Sequence, residues 1–140
     1  MKIRLERRYR FSASHRYYRQ DWTPEQNRTQ FGKCANAPGH GHNYRLVVTV
    51  AGQVDPVTGF VVDLVALDTR VRERILEVVD HQHLNAAVAE FGPDGVIPST
   101  ENLVAWVHEL LVHEIPGEGE LVAIRIEEDD DLASEWRRAD

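Results

Sequence analysis

Cysteine is nearly absent. Cys34 stands alone, so no internal disulfide can form and a reducing compartment is the simpler setting. No apolar run approaches the roughly 20 residues that would span a bilayer. The first residues, Met1-Lys2-Ile3-Arg4-Leu5-Glu6-Arg7-Arg8, alternate charge with apolar side chains instead of building the apolar block of a signal peptide. A basic excess is missing too. Lysine and arginine total 16 against 23 aspartates and glutamates, for a net charge of −7, which argues against a general binder of nucleic-acid backbones. There are no repeats, low-complexity tracts or linkers. Hydrophobic residues at 42% and charged residues at 28% exclude a disordered chain. With 140 residues, the expectation is one domain over 1–140, cytoplasmic, with no nucleic-acid or membrane partner.

What is present is periodic. From Ile3 to His15 the odd positions run Ile3, Leu5, Arg7, Tyr9, Phe11, Ala13, His15 against polar even positions, the pattern of a half-buried antiparallel strand. Residues 16–39 are polar and rich in turn formers, and read as a long loop of the kind that often carries function. A second strand covers residues 40–52, with His40, His42, Tyr44, Leu46, Val48 and Val50 on one face. Asp55-Pro56-Val57-Thr58-Gly59 reads as a tight turn. Asp63 caps a predicted helix over 64–79, whose Leu64, Leu67, Val71, Ile75 and Val78 form one stripe. A second helix starts near Ser99 or Thr100, with Leu103, Val107, Leu110 and Leu111 inward. A strand over 121–128 would place Val122, Ile124, Ile126 and Glu128 on one face, and a short last strand is expected near 132–136. Within the acidic run Glu127-Glu128-Asp129-Asp130-Asp131, Asp129 to Asp131 read as a solvated turn. Segregated strands and helices make the class α+β with an antiparallel sheet.

Chemistry concentrates in the histidines. In a strand, residues i and i+2 point the same way about 7 Å apart, so His40 and His42 can reach one ion. Gly41 leaves the space between them open, and His15 on the neighbouring strand is a natural third ligand. Three imidazoles with an open fourth position is how a catalytic zinc site is built. Cys34 fits three roles on spacing alone: a fourth ligand, an inert buried thiol, or a catalytic thiolate favoured by a nearby cation. Asp80-His81 is either a carboxylate-oriented imidazole near that thiol or a helix C-terminus decorated with histidines. Thr100 and Glu101 open a helix, where a glutamate usually offsets the dipole. Glu128 is stronger, because an inward carboxylate needs a partner. The two N–H donors of a 2-amino-4-oxo heterocycle would meet it in bidentate fashion.

Together these residues resemble the family of 6-pyruvoyltetrahydropterin and 6-carboxytetrahydropterin synthases. The resemblance rests on Phe11-Ser12-Ala13-Ser14-His15, Phe31-Gly32-Lys33-Cys34, Gly39-His40-Gly41-His42-Asn43-Tyr44, Asp55-Pro56-Val57-Thr58-Gly59, Asp80-His81 with Leu84-Asn85, and Thr100-Glu101-Asn102. These stretches follow the family's order over about residues 10–130. The resemblance implies zinc on His15, His40 and His42, one ion per subunit. It implies catalysis by Cys34 with Asp80, His81 and Glu128, and a pterin pocket made by Thr100, Glu101 and Glu128, with Glu127 the alternative if the register slips by one. Asp129 stands where the family usually has threonine, and the ending Glu135-Trp136-Arg137-Arg138 departs from the family's usual terminal pattern. The implied fold is the tunnelling fold, an antiparallel sheet with two helices on one face. Its subunits assemble into a barrel, as a homohexamer of two trimers with active sites between subunits. The implied reaction removes triphosphate from 7,8-dihydroneopterin triphosphate to give the 6-pyruvoyl product. Five residues between Cys34 and His40 favour that product over the 6-carboxy product of the queuosine and deazapurine route. Lys33, Arg16, Arg19 and Arg28 are candidates for holding the triphosphate. The other readings are a non-catalytic zinc protein, its site closed by Cys34 beside the three histidines, and a pterin-binding module without turnover.

Overall fold

The structure, a computed structural model, describes residues 1–139. Two long strands form its frame. β1 (Ile3–His15) and β2 (His40–Gly52) pair antiparallel along their whole length, from Ile3 opposite Gly52 to His15 opposite His40. The period of two read from the sequence therefore becomes one long ribbon whose far end brings three histidines together. Along β1 the inward side chains grow more buried toward that end: Phe11, Ala13 and His15 are buried, whereas Ile3 is exposed.

The segment expected to be a loop holds a helix. α1 (Pro24–Phe31) begins at Thr23, whose hydroxyl accepts from the Gln26 N–H while the Gln26 side chain accepts from the Thr23 N–H. This reciprocal capping box satisfies two of the orphan donors of the first turn. The helix bears no apolar stripe, and Asn27 is its one buried residue; periodicity therefore could not reveal it. A 3₁₀ turn over Gly32–Ala35 follows and carries Cys34.

The helix expected over 64–79 is capped by Asp63, which accepts from the Ala66 N–H at 3.0 Å. It forms as α2 (Leu64–Val71), a π turn (Arg72–Leu76) and α3 (Glu77–Val79). Leu67, Val71, Ile75 and Val79 are fully buried against the sheet, each contributing about 1.5–3 kcal/mol by burial. Asp68 pins this helix to β1, accepting from both Nε and Nη2 of Arg7 (3.0 and 2.8 Å) and from the Tyr9 hydroxyl (2.7 Å). After α3 the chain adds a two-residue strand, β3 (Gln82–His83), parallel to β1, and a short helix α4 (Leu84–Ala87). The sheet is thus not wholly antiparallel.

α5 (Thr100–Leu111) is capped by Ser99, and buries Leu103, Val107 and Leu111. β4 (Glu120–Glu127) pairs with β2, and β5 (Ala133–Arg137) pairs with β4, giving the order β3-β1-β2-β4-β5. The expected last strand is present. A register shift opposite Thr49 and Val50 changes the expected inward series on β4. Leu121, not Val122, faces Val50, and Ile124 and Ile126 resume the buried phase. Asp129 turns the β4–β5 hairpin by accepting from the N–H groups of Asp131 and Leu132. The class is mixed α+β, a five-stranded sheet with helices against one face. No helix among the described residues is long and apolar enough to cross a membrane.

Candidate active site

The three histidines meet where β1 ends and β2 begins. Their ring centroids lie 4.9–5.0 Å apart, and one ligand nitrogen from each falls within 4.8 Å of the other two. His15 Nε2 and His40 Nε2 are 3.4 Å apart, close to the edge of a tetrahedron with metal bonds of about 2.0–2.1 Å. Gly39 makes this approach feasible: its φ is +115°, and a Cβ there would collide with the His15 carbonyl. Gly41 acts differently from expectation. Alternation along β2 turns it to the opposite face, where a Cβ would press on the Ala13 carbonyl at 3.3 Å.

Two observations test whether these residues fit a metal ion. His42 Nε2 is buried and makes no hydrogen bond, although Glu128 Oε1 lies 3.3 Å away; that oxygen sits outside hydrogen-bond geometry. A buried polar atom left unsatisfied costs about 1–3 kcal/mol, and an ion would satisfy it. His15 is fully buried, and burial, with His42 and His40 beside it, lowers its pKa to about 4. It is therefore a neutral imidazole, the form that binds metal. The residues fit, and the donor set suits zinc among other metals of its kind.

The His15 ring has a partner on its far side. Its Nδ1 shares a 2.9 Å hydrogen bond with the Tyr44 hydroxyl, on a residue 1% exposed and stacked on Phe11. Such outer partners fix the ligand ring and its tautomer, and their loss typically weakens metal binding about 10–100-fold. Tyr44→Phe is expected to show that loss in a chelator competition for zinc. Unchanged affinity would mean that packing alone holds the ring.

Glu128, one residue past β4, is buried beside this cluster, 3.3 and 3.4 Å from His42 and His15 Nε2. Burial raises its pKa. Glu127 points to the other face, with Arg45 at 3.5 Å and Arg125 at 3.3 Å. Tyr17, which sequence reading passed over, packs between His15 and Phe31. Burial raises its pKa, with the charges of Glu128, Cys34 and Glu101 adding to the rise. Its N–H donates to the Cys34 carbonyl at 2.9 Å, which ties the Cys34 turn to the end of β1. The signal was its place two residues beyond His15, where the apolar phase of β1 continues.

Cys34 is partly exposed. Burial first, then the Glu128 charge, raises its pKa, so the chain alone holds it as a thiol. It belongs to neither group whose ligand atoms could share one ion, the three histidines or His42 with Glu128 and Asp129; the closed four-ligand reading loses its geometry. Thr100 is buried, and its hydroxyl lies 3.2 Å from Glu101 Oε2 and 2.7 Å from Ser134 Oγ.

Asp80 and His81 pair with each other and with β1, and neither is among the side chains that could share an ion with the triad. The Asp80 carboxylate accepts from the Ser12 N–H at 2.9 Å and lies 3.0 Å from His81 Nδ1. The backbone donor chiefly lowers the Asp80 pKa. His81 adopts φ +59° with its side chain 81% exposed, on the side of the sheet where Ser12 and Asn43 point. Two of the expected triphosphate ligands are engaged within the chain. Arg19 makes a two-pronged pair with Asp21 (2.9 and 2.7 Å), and Arg16 donates to the Ala35 carbonyl and covers the Tyr18 ring. Lys33 and Arg28 are exposed.

Residues 4–139 match the family model described as 6-pyruvoyl tetrahydropterin synthase. The chain belongs to this family. A Homo sapiens relative named 6-pyruvoyl tetrahydrobiopterin synthase is 40% identical over 129 residues, which is 92% of this chain and 87% of the relative. One from Poecilia reticulata with the same name is 40% identical, covering 76% and 71%. Among solved structures, the Caenorhabditis elegans 6-pyruvoyl tetrahydropterin synthase superposes with a TM-score of 0.89 at 32% identity, covering 99% of this chain and 97% of that one. These relatives carry the pyruvoyl name and do not favour the 6-carboxy alternative.

Proposed function

We propose that this member of the 6-pyruvoyl tetrahydropterin synthase family is a zinc-dependent lyase that removes triphosphate from 7,8-dihydroneopterin triphosphate and forms 6-pyruvoyltetrahydropterin. The observation that carries the reading is the histidine triad, with its buried, unpartnered His42 Nε2 3.3 Å from the buried Glu128 carboxylate. His15, His40 and His42 would hold the ion. When bound, zinc supplies Lewis-acid polarisation of substrate oxygens, which acidifies the neighbouring C–H bonds.

The chain's own groups divide the remaining work. The Glu128 carboxylate accepts from the two N–H donors of the pterin edge, an arrangement that favours its ionised form despite burial. Glu101 at the start of α5 is close enough for its charge to act on Glu128, and with Thr100 it would complete the contacts to the pterin. Cys34 moves the side-chain proton, and His81, oriented by Asp80, relays it. Elimination followed by tautomerisation needs no external oxidant or reductant.

His81 is exposed and held by Asp80 and Ser12, whereas Cys34 sits on the turn tied to Tyr17. It is therefore suited to meet the Cys34 of another copy, as in a homohexamer with active sites between subunits. Cys34→Ala and His81→Ala are each expected to be inactive alone. Refolding the two together should restore consumption of dihydroneopterin triphosphate, since some mixed sites contain both groups. A mixture as inactive as its components would place Cys34 and His81 in one chain's site. Wild-type protein that leaves the substrate intact would overturn the enzymatic reading.

A further inference from the structure

We propose that Arg10 and Arg45 form a binding site for a phosphate or polyphosphate group on the open face of the sheet. The register sets these two arginines directly opposite each other on β1 and β2. Facing residues on an antiparallel pair have Cβ atoms about 4.5–5.5 Å apart, and like charges placed so are destabilising. In a chain of net charge −7, two facing guanidinium groups call for an anion.

The protein supplies little of one. Among the described residues Arg10 has no carboxylate within ion-pair distance, whereas its neighbour Arg8 has Glu6 at 3.4 Å. Arg45 is held loosely: its Nη1 donates to Glu127 at 3.5 Å and its Nη2 lies 3.5 Å from the exposed Asp130. Both arginines line an open cavity of about 450 Å³ together with Ser12, Asn43, Asp80 and His81. The acidic member of that group is committed elsewhere, since Asp80 Oδ1 serves the Ser12 N–H and His81. The Ser12 hydroxyl donates to Asn43 Oδ1 at 2.7 Å, which leaves the Asn43 amide N–H groups available as donors. The wall thus offers the unpaired Arg10 fork, the loosely held Arg45 fork and an amide. Guanidinium forks match the oxygens of phosphate in bidentate fashion, and two of them balance a dianion. The cavity is also larger than a single carboxylate requires.

The ligand is either the triphosphate tail of a substrate, an arm that rests on the function proposed above, or free inorganic oligophosphate. Titration calorimetry with inorganic triphosphate at fixed ionic strength tests the site without turnover. The wild-type protein is expected to bind, and Arg10→Gln and Arg45→Gln each to weaken binding about tenfold or more. Arg10→Lys, which keeps the charge but not the fork, should fall between. In anion-free buffer Arg10→Gln should melt at or above the wild-type temperature, because it removes a facing like charge. A KM for dihydroneopterin triphosphate that rises in the glutamine variants while kcat holds assigns the tail; an unchanged KM assigns the free oligophosphate. Equal triphosphate affinity in the wild type and the double glutamine variant would overturn the site. So would a wild-type melting temperature that responds identically to triphosphate and to sodium chloride of the same ionic strength.

Discussion

Replacing Cys34 by alanine is expected to cut consumption of dihydroneopterin triphosphate by about 10²–10⁴-fold, the usual worth of a positioned proton-transfer group, while bound zinc stays at the wild-type level. The two halves of that expectation come from different observations. Zinc should stay because Cys34 lies outside the groups of side chains that could share an ion. Turnover should fall because Cys34 is the thiol on the turn that Tyr17 ties to the end of β1, close enough to Glu128 to feel its charge. Burial and the Glu128 charge keep that thiol protonated in the isolated chain, so an approaching cation is needed to release the thiolate. Bound zinc or a protonated His81 of another copy would serve. Loss of zinc from the alanine variant, with a drop in stability, would instead make Cys34 a ligand.

Removing the metal should be the second large effect. At free zinc 100 times the dissociation constant, binding to the folded state alone contributes about 2.7 kcal/mol, so chelation should lower the thermal midpoint and abolish turnover together. His42→Ala sharpens the test. Its Nε2 is buried with no hydrogen-bond partner in the protein, so a bound ion is what the substitution chiefly removes. The variant should therefore lose its zinc-dependent rise in midpoint more completely than it loses metal-free stability. A variant whose midpoint still rises with zinc as the wild type's does would move the ion to other ligands.

Much of this site was legible in the residues because strand geometry is simple. A period of two runs from Ile3 to His15 and from His40 to Val50, and antiparallel pairing then sets His15 opposite His40. The same phase placed Glu128 inward, and it survived the register shift near Val50 that displaced Val122. Helix α1 was not legible by periodicity, since it buries one asparagine and no apolar stripe. Its Thr23-Pro24-Glu25-Gln26 start was the usable signal. The π turn within the 64–79 helix leaves no mark in an apolar stripe that looks continuous. The direction of His81 could not be read at all. It depends on a left-handed backbone at φ +59° and on the hold of the Ser12 N–H on Asp80, both consequences of how the helix end docks on β1.

The most direct test of the proposed activity is incubation of zinc-loaded protein with 7,8-dihydroneopterin triphosphate, followed by mass analysis of the pterin. The expected product is 6-pyruvoyltetrahydropterin with release of inorganic triphosphate. Intact substrate after long incubation, or a 6-carboxy product, would contradict it.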